Sequence, residues 1–237
     1  MAAARGSFGT LARRKTNPMN PWPALGCEPP FVLPEDRQAI DNFNARATKR
    51  TRLEIDLLPE PFVGMVDAPV VLLTLNPGVS DDDFALHNEP AFRGRIRACH
   101  RQDKAAWPYY YLAPDVTGPG ARWSARVLGP LIRELGLASV AQGVVLFEYL
   151  PYHSRGFGHA RLALSSQAFT IGAVRSTIAR AAAIFVTRGV RLWSTAIPEL
   201  LGHPRLFATR STRNIVISPR NCPAGWQGAV AGIRSAG

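Results

Sequence analysis

The stretch Val70-Val71-Leu72-Leu73-Thr74-Leu75-Asn76-Pro77-Gly78-Val79-Ser80 decides the fold. Six residues, nearly all apolar and partly β-branched, run straight into Asn-Pro-Gly. That pattern predicts a strand buried on both faces and closed by a tight polar turn. In an open parallel sheet, ligands sit beyond the carboxyl ends of the strands, so Asn76 is expected at the mouth of a site. Pro77 fixes φ, and Gly78 allows close approach to the backbone. Asn-Pro-Gly is also ordinary turn chemistry, so this stretch alone does not separate a site from a loop.

Working outward, three more short apolar runs read as core strands. They are Gly143 to Leu150, Ala183 to Thr187, and Ile215-Val216-Ile217. Helical spacing fills the gaps. Ala121 to Leu135 places Val127, Leu128, Leu131, Ile132 and Leu135 on one face, with Gly136 as its cap. Ala168 to Ala182, Val190 to Leu201 and Gly225 to Arg234 follow, and Pro34-Glu35-Asp36 starts an earlier helix with Ile40 and Phe43 inward. Strand and helix alternate, which predicts an α/β fold: three layers, α/β/α, around a central four-stranded, mostly parallel sheet.

At 237 residues the chain is long enough for one full-sized domain. We expect a flexible basic arm over 1–27, carrying Arg5, Arg13, Arg14 and Lys15, and a single domain over 28–237. The net charge of +11, mostly arginine, favours a polyanionic partner such as nucleic acid; a GC-rich genome enriches arginine in the same way. The three cysteines are far apart and form no C-x-x-C pair, so neither a zinc site nor an iron–sulfur cluster is expected. Their odd number fits a reducing compartment. No apolar run is long enough for a membrane span. Arg93, Arg95, Arg97, His100, Arg101 and Lys104 make a basic run, of which Arg97 and Arg101 are candidate phosphate contacts. The aromatic run Trp107-Pro108-Tyr109-Tyr110-Tyr111 follows, either as a single-strand stacking surface or as a buried lid. Ser80-Asp81-Asp82-Asp83 reads as a helix start rather than a metal site.

Two motifs, in order and each after a predicted strand, carry a resemblance. Leu75-Asn76-Pro77-Gly78 is the first; Ser218-Pro219-Arg220-Asn221 with Gly225-Trp226 is the second. The pair resembles the uracil-DNA glycosylase superfamily, and within it the single-strand-selective monofunctional branch, whose motifs are G-M-N-P-G and H-P-S-P-R-N followed by G-W. The likeness runs over about residues 60 to 235 and is close only at the motifs. It implies a metal-free and cofactor-free enzyme that flips a base and hydrolyses its glycosidic bond. By resemblance, Asn76 holds the attacking water. Ser218, Arg220 and Asn221 contact DNA, and an aromatic after the first motif stacks on the base. Phe84 is the candidate for that stacking, and Tyr152 is assigned to the base pocket beside it.

Two departures shape the expected chemistry. The motif histidine is replaced by Val216, which cannot donate to a base oxygen; His153 is the nearest replacement by chain position. The asparagine that reads uracil in the resembling branch falls on Glu148 of Phe147-Glu148-Tyr149-Leu150-Pro151. An amide both accepts and donates, whereas an ionised carboxylate only accepts. Glu148 therefore suits a base with an exocyclic amine, such as cytosine, and burial would raise its pKa and let it share a proton with ring N3. A protonated Glu148 still reads uracil, and a plain ion pair with Arg155 is the structural alternative. Unmodified cytosine is everywhere in a genome, so a cytosine reader must demand damage or a bulky modification of the kind carried by phage DNA. The expected function is a monofunctional DNA glycosylase of altered, cytosine-type specificity. The alternatives are a conventional uracil-DNA glycosylase and a catalytically degenerate nucleic-acid binder. The expected setting is a monomer acting on DNA, single-stranded or with a flipped base, in a bacterial cytoplasm.

Overall fold

The structure is a computed structural model that describes residues 18–211 and 215–236. The arm cations Arg5, Arg13, Arg14 and Lys15 lie outside the described residues. The end of the expected arm is packed: Trp22 is buried to 1% exposure and Leu25 to 4%, and Asn20 Nδ2 donates to the His100 carbonyl. An arm that is loose to residue 27 is thus corrected, because Trp22 has a core to enter.

The chain is α/β, with a five-stranded mixed sheet and eight α-helices among the described residues. The strands are β1 (Phe62–Val63), β2 (Val70–Thr74), β3 (Val144–Glu148), β4 (Ala183–Val186) and β5 (Leu206–Phe207). Their spatial order is β1-β3-β2-β4-β5, with β1 antiparallel to β3 and every other pair parallel. Val70, Val71, Leu72 and Leu73 are all fully buried, as a central strand between helices requires. The helices are α1 (Arg37–Asn44), α2 (Asp81–Asn88), α3 (Pro90–Arg101), α4 (Pro119–Leu135), α5 (Leu137–Gly143), α6 (Gln167–Ala179), α7 (Val190–Ala196) and α8 (Pro223–Ala236). Helices α4, α5 and α8 pack on one another, and α8 also touches β2, β4 and β5; α6 lies on β3 and α3 on β1.

The four-strand expectation is corrected in two places. A short antiparallel strand, β1, is added at one edge. At the other, β5 takes the position expected for Ile215-Val216-Ile217. Those residues leave the sheet: Ile217 donates its N–H to the Val127 carbonyl of α4, and Ile215 and Ile217 bury their side chains without strand pairing. Apolar alternation reports burial, and Ile215 and Ile217 reach it outside the sheet.

Register explains why the site lies where it does. Thr74 pairs with Glu148 at the carboxyl ends of β2 and β3. The pairing then continues past both strands: Tyr149 N–H and Leu150 N–H donate to the Thr74 and Leu75 carbonyls, Ser154 N–H donates to the Pro77 carbonyl, and Gly78 bridges to Ser154. The two loops after β2 and β3 are therefore stitched together. Gly189, at φ +71°, brings the turn after β4 against them, since a Cβ there would lie 2.2 Å from the Leu75 side chain.

Candidate active site

Asn76 is half-buried at the end of β2. Its Nδ2 donates to the Ser154 hydroxyl (2.9 Å) and to the Pro77 carbonyl (3.0 Å), and Ser154 in turn donates to Gly156 O. Both amide hydrogens are thus used, and Oδ1 is the atom left to accept a hydrogen bond from water or ligand. Gly78 is exposed, with open space where a Cβ would stand, so the turn is approachable from solvent.

Glu148 ends β3 opposite Thr74, two residues before Asn76, and is only 6% exposed. Burial pushes its carboxyl up to about 8; Thr74 and Arg188 oppose that rise and Glu60 adds to it. The hydrogen bonds fit either state of the carboxyl. Thr74 Oγ1 lies 2.9 Å from the Phe147 carbonyl oxygen and 2.5 Å from Glu148 Oε2. A hydroxyl has one hydrogen. If Thr74 gives it to the carbonyl, a protonated Glu148 completes the chain by donating to Thr74. Glu148 is then a neutral acid at neutral pH, with Oε1 open to a partner. Trp193 Nε1 donates to the Thr74 carbonyl and its ring meets Tyr149 edge-on, which fixes the backbone beneath the pair.

A second polar cluster lies behind the Asn76 turn. Glu60 is buried at 3%, His153 at 1% and His87 at 4%. Tyr110 donates to Glu60 Oε1 at 2.6 Å, and the Tyr111 hydroxyl lies 2.9 and 3.0 Å from its two oxygens. His153 Nε2 is 3.6 Å from Glu60 Oε2. Burial raises the Glu60 pKa, against the pull of His153 and the two tyrosines. Burial, with His153 nearby, holds His87 well below its usual value, so its ring is neutral. Sequence reasoning missed Thr74, Ser154, Glu60 and His87. The signal for Thr74 was its register opposite Glu148, and no local pattern marks the other three.

The remaining expected site residues divide clearly. His153 does not stand free to replace the motif histidine: its ring is held between the Gly78 and Leu58 carbonyls, each at 3.1 Å. Tyr152 is not in a base pocket; it is fully buried, donating to Asp36 and accepting from Leu33 N–H. Phe84 is half-exposed on α2, outside the apolar core. Arg155 pairs with Asp81, not with Glu148. Arg97 is tied to the Leu25 and Gly26 carbonyls and lies over the Phe31 ring, which occupies it internally; Arg101 stays exposed, in a surface pair with Asp103. The Tyr109–Tyr111 run is the lid, with its hydroxyls turned inward. Asp83 caps α2 by accepting from Ser80 N–H and hydroxyl. Ser218 and Asn221 build their own loop: Asn221 N–H donates to Ser218 Oγ, while the Asn221 side chain joins Ser211 to Val216. Arg220 is exposed and without a partner among the described residues. A cleft of about 370 Å³ opens elsewhere, at the amino ends of the strands, but its Arg180 and Arg205 are held by backbone carbonyls.

No helix among the described residues is long and apolar enough to cross a membrane. Compared with family models, curated proteins and solved structures, the chain finds no match.

Proposed function

We propose that this chain is a monofunctional DNA glycosylase that acts on a flipped cytosine-type base, in a three-layer α/β/α domain. The observation that carries the proposal is the place of the buried Glu148 carboxyl, at the carboxyl end of β3 and in register with Thr74, two residues before Asn76; burial pushes that carboxyl up to about 8. A neutral carboxylic acid matches the edge of cytosine: its O–H donates to ring N3 while its C=O accepts from the exocyclic amine. The proton that Thr74 shares in the free protein is the one offered to N3. Protonation at N3 lets the base leave without a negative charge. Asn76 Oδ1 orients a water toward C1′ of the sugar, and its contribution is positional. As the C1′–N bond breaks, its electron pair goes to the base; water adds its oxygen to C1′ and releases a proton, which restores Glu148. Extrusion of the base costs a few kcal/mol and is easiest from single-stranded or badly paired DNA. Arg220, exposed in the loop before α8, supplies a phosphate contact. A requirement for a bulky modification on the base would make the activity safe for the host genome and directed at foreign DNA.

A second reading has its own support. The same neutral acid can accept from uracil N3–H and donate to O4, so a Glu148 that stays protonated reads uracil as an amide would. The argument for cytosine is that only a basic ring nitrogen can take the proton fully. The deciding experiment is excision from oligonucleotides carrying uracil, cytosine, 5-methyl-, 5-hydroxymethyl- or glucosylated cytosine, followed by alkaline cleavage of abasic sites. Breaks confined to a cytosine derivative support the proposal, and breaks at uracil replace it with repair. Binding to DNA without breaks at any base makes the chain a binder.

A further inference from the structure

The cluster of Glu60, His87 and His153 has no part in the chemistry above, and its hydrogen bonding does not close. We infer that these three side chains form a buried, structural site for a divalent transition-metal ion of the Zn²⁺ class. One ligand atom from each lies within 4.8 Å of the other two, and all three residues are buried.

Two observations point to an ion rather than a proton. First, His153 Nε2 faces only acceptors: the Leu58 carbonyl oxygen at 3.1 Å and Glu60 Oε2 at 3.6 Å. A positive centre has to lie among these atoms. A proton on Nε2 would meet that need for His153 and Glu60. Second, neither ring nitrogen of His87 has a partner, although both are sealed from solvent. A buried polar atom left unpaired costs about 1–3 kcal/mol. A proton between His153 and Glu60 does nothing for His87, whose ring packs edge-on to His153 with centroids 4.8 Å apart. A metal ion takes one nitrogen of His87 together with His153 Nε2 and a Glu60 oxygen.

The surroundings are those of a metal site. His153 Nδ1 lies 3.1 Å from the Gly78 carbonyl, so an N–H there fixes the tautomer that leaves Nε2 as the ligand atom. Tyr110 and Tyr111 hold the Glu60 carboxylate from behind. Two neutral imidazoles and one carboxylate suit Zn²⁺, with the Leu58 carbonyl oxygen or a water as fourth ligand. Ligand atoms around zinc lie roughly 3.3–3.5 Å apart, so binding would draw the longest separation in by up to about 1.5 Å. Such an ion would tie α2, the Glu60 segment and the loop after β3 together. Through Gly78 it would also brace the Asn76 turn. This inference does not depend on the glycosylase proposal.

The test uses the whole chain, prepared without a histidine tag. Metal content is measured by mass spectrometry after dialysis. Chelator-stripped protein is then titrated with Co²⁺ and followed by visible absorption, and with Zn²⁺ and followed by melting temperature. The expected result is about one ion per chain, a tetrahedral Co²⁺ spectrum and a rise in melting temperature with Zn²⁺. His87→Leu should lower metal content at least tenfold and abolish the Zn²⁺-dependent rise. The inference is overturned if the wild-type chain holds no stoichiometric metal and gives no Co²⁺ spectrum. It is equally overturned if His87→Leu binds metal as well as wild type. Without an ion, His87→Leu removes two unpaired nitrogens and should leave the chain as stable as before or more so. The wild-type Co²⁺ titration decides the matter even if that variant does not fold.

Discussion

Glu60 and Glu148 are both buried carboxyls at the carboxyl-end side of the sheet, yet their neighbourhoods are opposites. Glu60 accepts from two tyrosine hydroxyls and faces the His153 ring. Glu148 has one hydroxyl, Thr74, which it shares with the Phe147 carbonyl, and a weak pull from Arg188. Burial pushes both carboxyls up, and they differ in what pulls back: His153 and two tyrosines at Glu60, Thr74 and Arg188 at Glu148. A carboxyl gripped from several sides is a fixture, whereas one with a single close partner is free to act as a reagent. The Glu60 cluster should therefore govern stability, and the Glu148–Asn76 pair should govern chemistry.

The largest effect expected is on the chemical side. Asn76→Ala should reduce single-turnover excision on the order of 100- to 1000-fold, with DNA affinity nearly unchanged. Full activity in that variant would place the water elsewhere and leave the Asn76 turn a plain loop. Next comes the stability side. Glu60→Ala leaves the Tyr110 and Tyr111 hydroxyls unpaired and takes the carboxylate from His153, and should destabilise the chain by about 3–5 kcal/mol in urea unfolding. Glu148→Gln should be much milder at low pH. Equal losses from the two substitutions would erase the contrast.

The contrast sharpens with pH. A folded-state pKa of about 8 for Glu148, against an ordinary value of 4.5, means that the folded chain binds this proton more tightly than the unfolded chain. Its contribution to stability is then complete below about pH 4.5 and is lost progressively as pH rises toward 8. At about 1.4 kcal/mol per unit of pKa shift, the loss is a few kcal/mol at most. Glu148→Gln should remove this part of the decline, seen as a stability gain over wild type at pH 9 and little difference at pH 4. Excision by the wild-type chain should fall on the alkaline side with the same midpoint. The smallest effect is at the rim: Arg220→Ala should reduce the slope of log K against log salt by about 0.7–0.9. An unchanged slope removes Arg220 from the DNA surface.

Much of the scaffold could be read in the chain because double burial writes itself as continuous apolar runs. Val70–Leu73, Val144–Phe147 and Ala183–Phe185 needed no partner to be recognised as strands. The edges could not be read so easily. Leu206–Phe207 is two residues long, and Ile215–Ile217 carries a strand's pattern while packing on α4. Asn76 and Glu148 stood out because each closes a readable strand. His153 and Tyr152 were misplaced for the converse reason: position in a loop fixes neither where a ring points nor which carbonyl claims it. The basic run at Arg93–Arg101 looked like a phosphate track, but the packed segment at Trp22–Leu25 and its continuation supplies carbonyls that take up Arg93 and Arg97. Glu60, His87 and His153 are separated by 27 and 66 positions in the chain and become a group only when folded.

The stitching of the loops beyond β2 and β3 also bears on how this protein could change over generations. Because Gly78 and Ser154 continue the strand pairing, the wall that carries Asn76 and Glu148 behaves as one plate and not as two hinged flaps. New ligands cannot be accommodated by bending it. They must be met by exchanging single side chains on a fixed frame, at positions such as 74 and 148, where one substitution rewrites the donor and acceptor pattern and leaves the plate intact. A lineage built this way would switch targets in abrupt steps, with few intermediates of mixed preference.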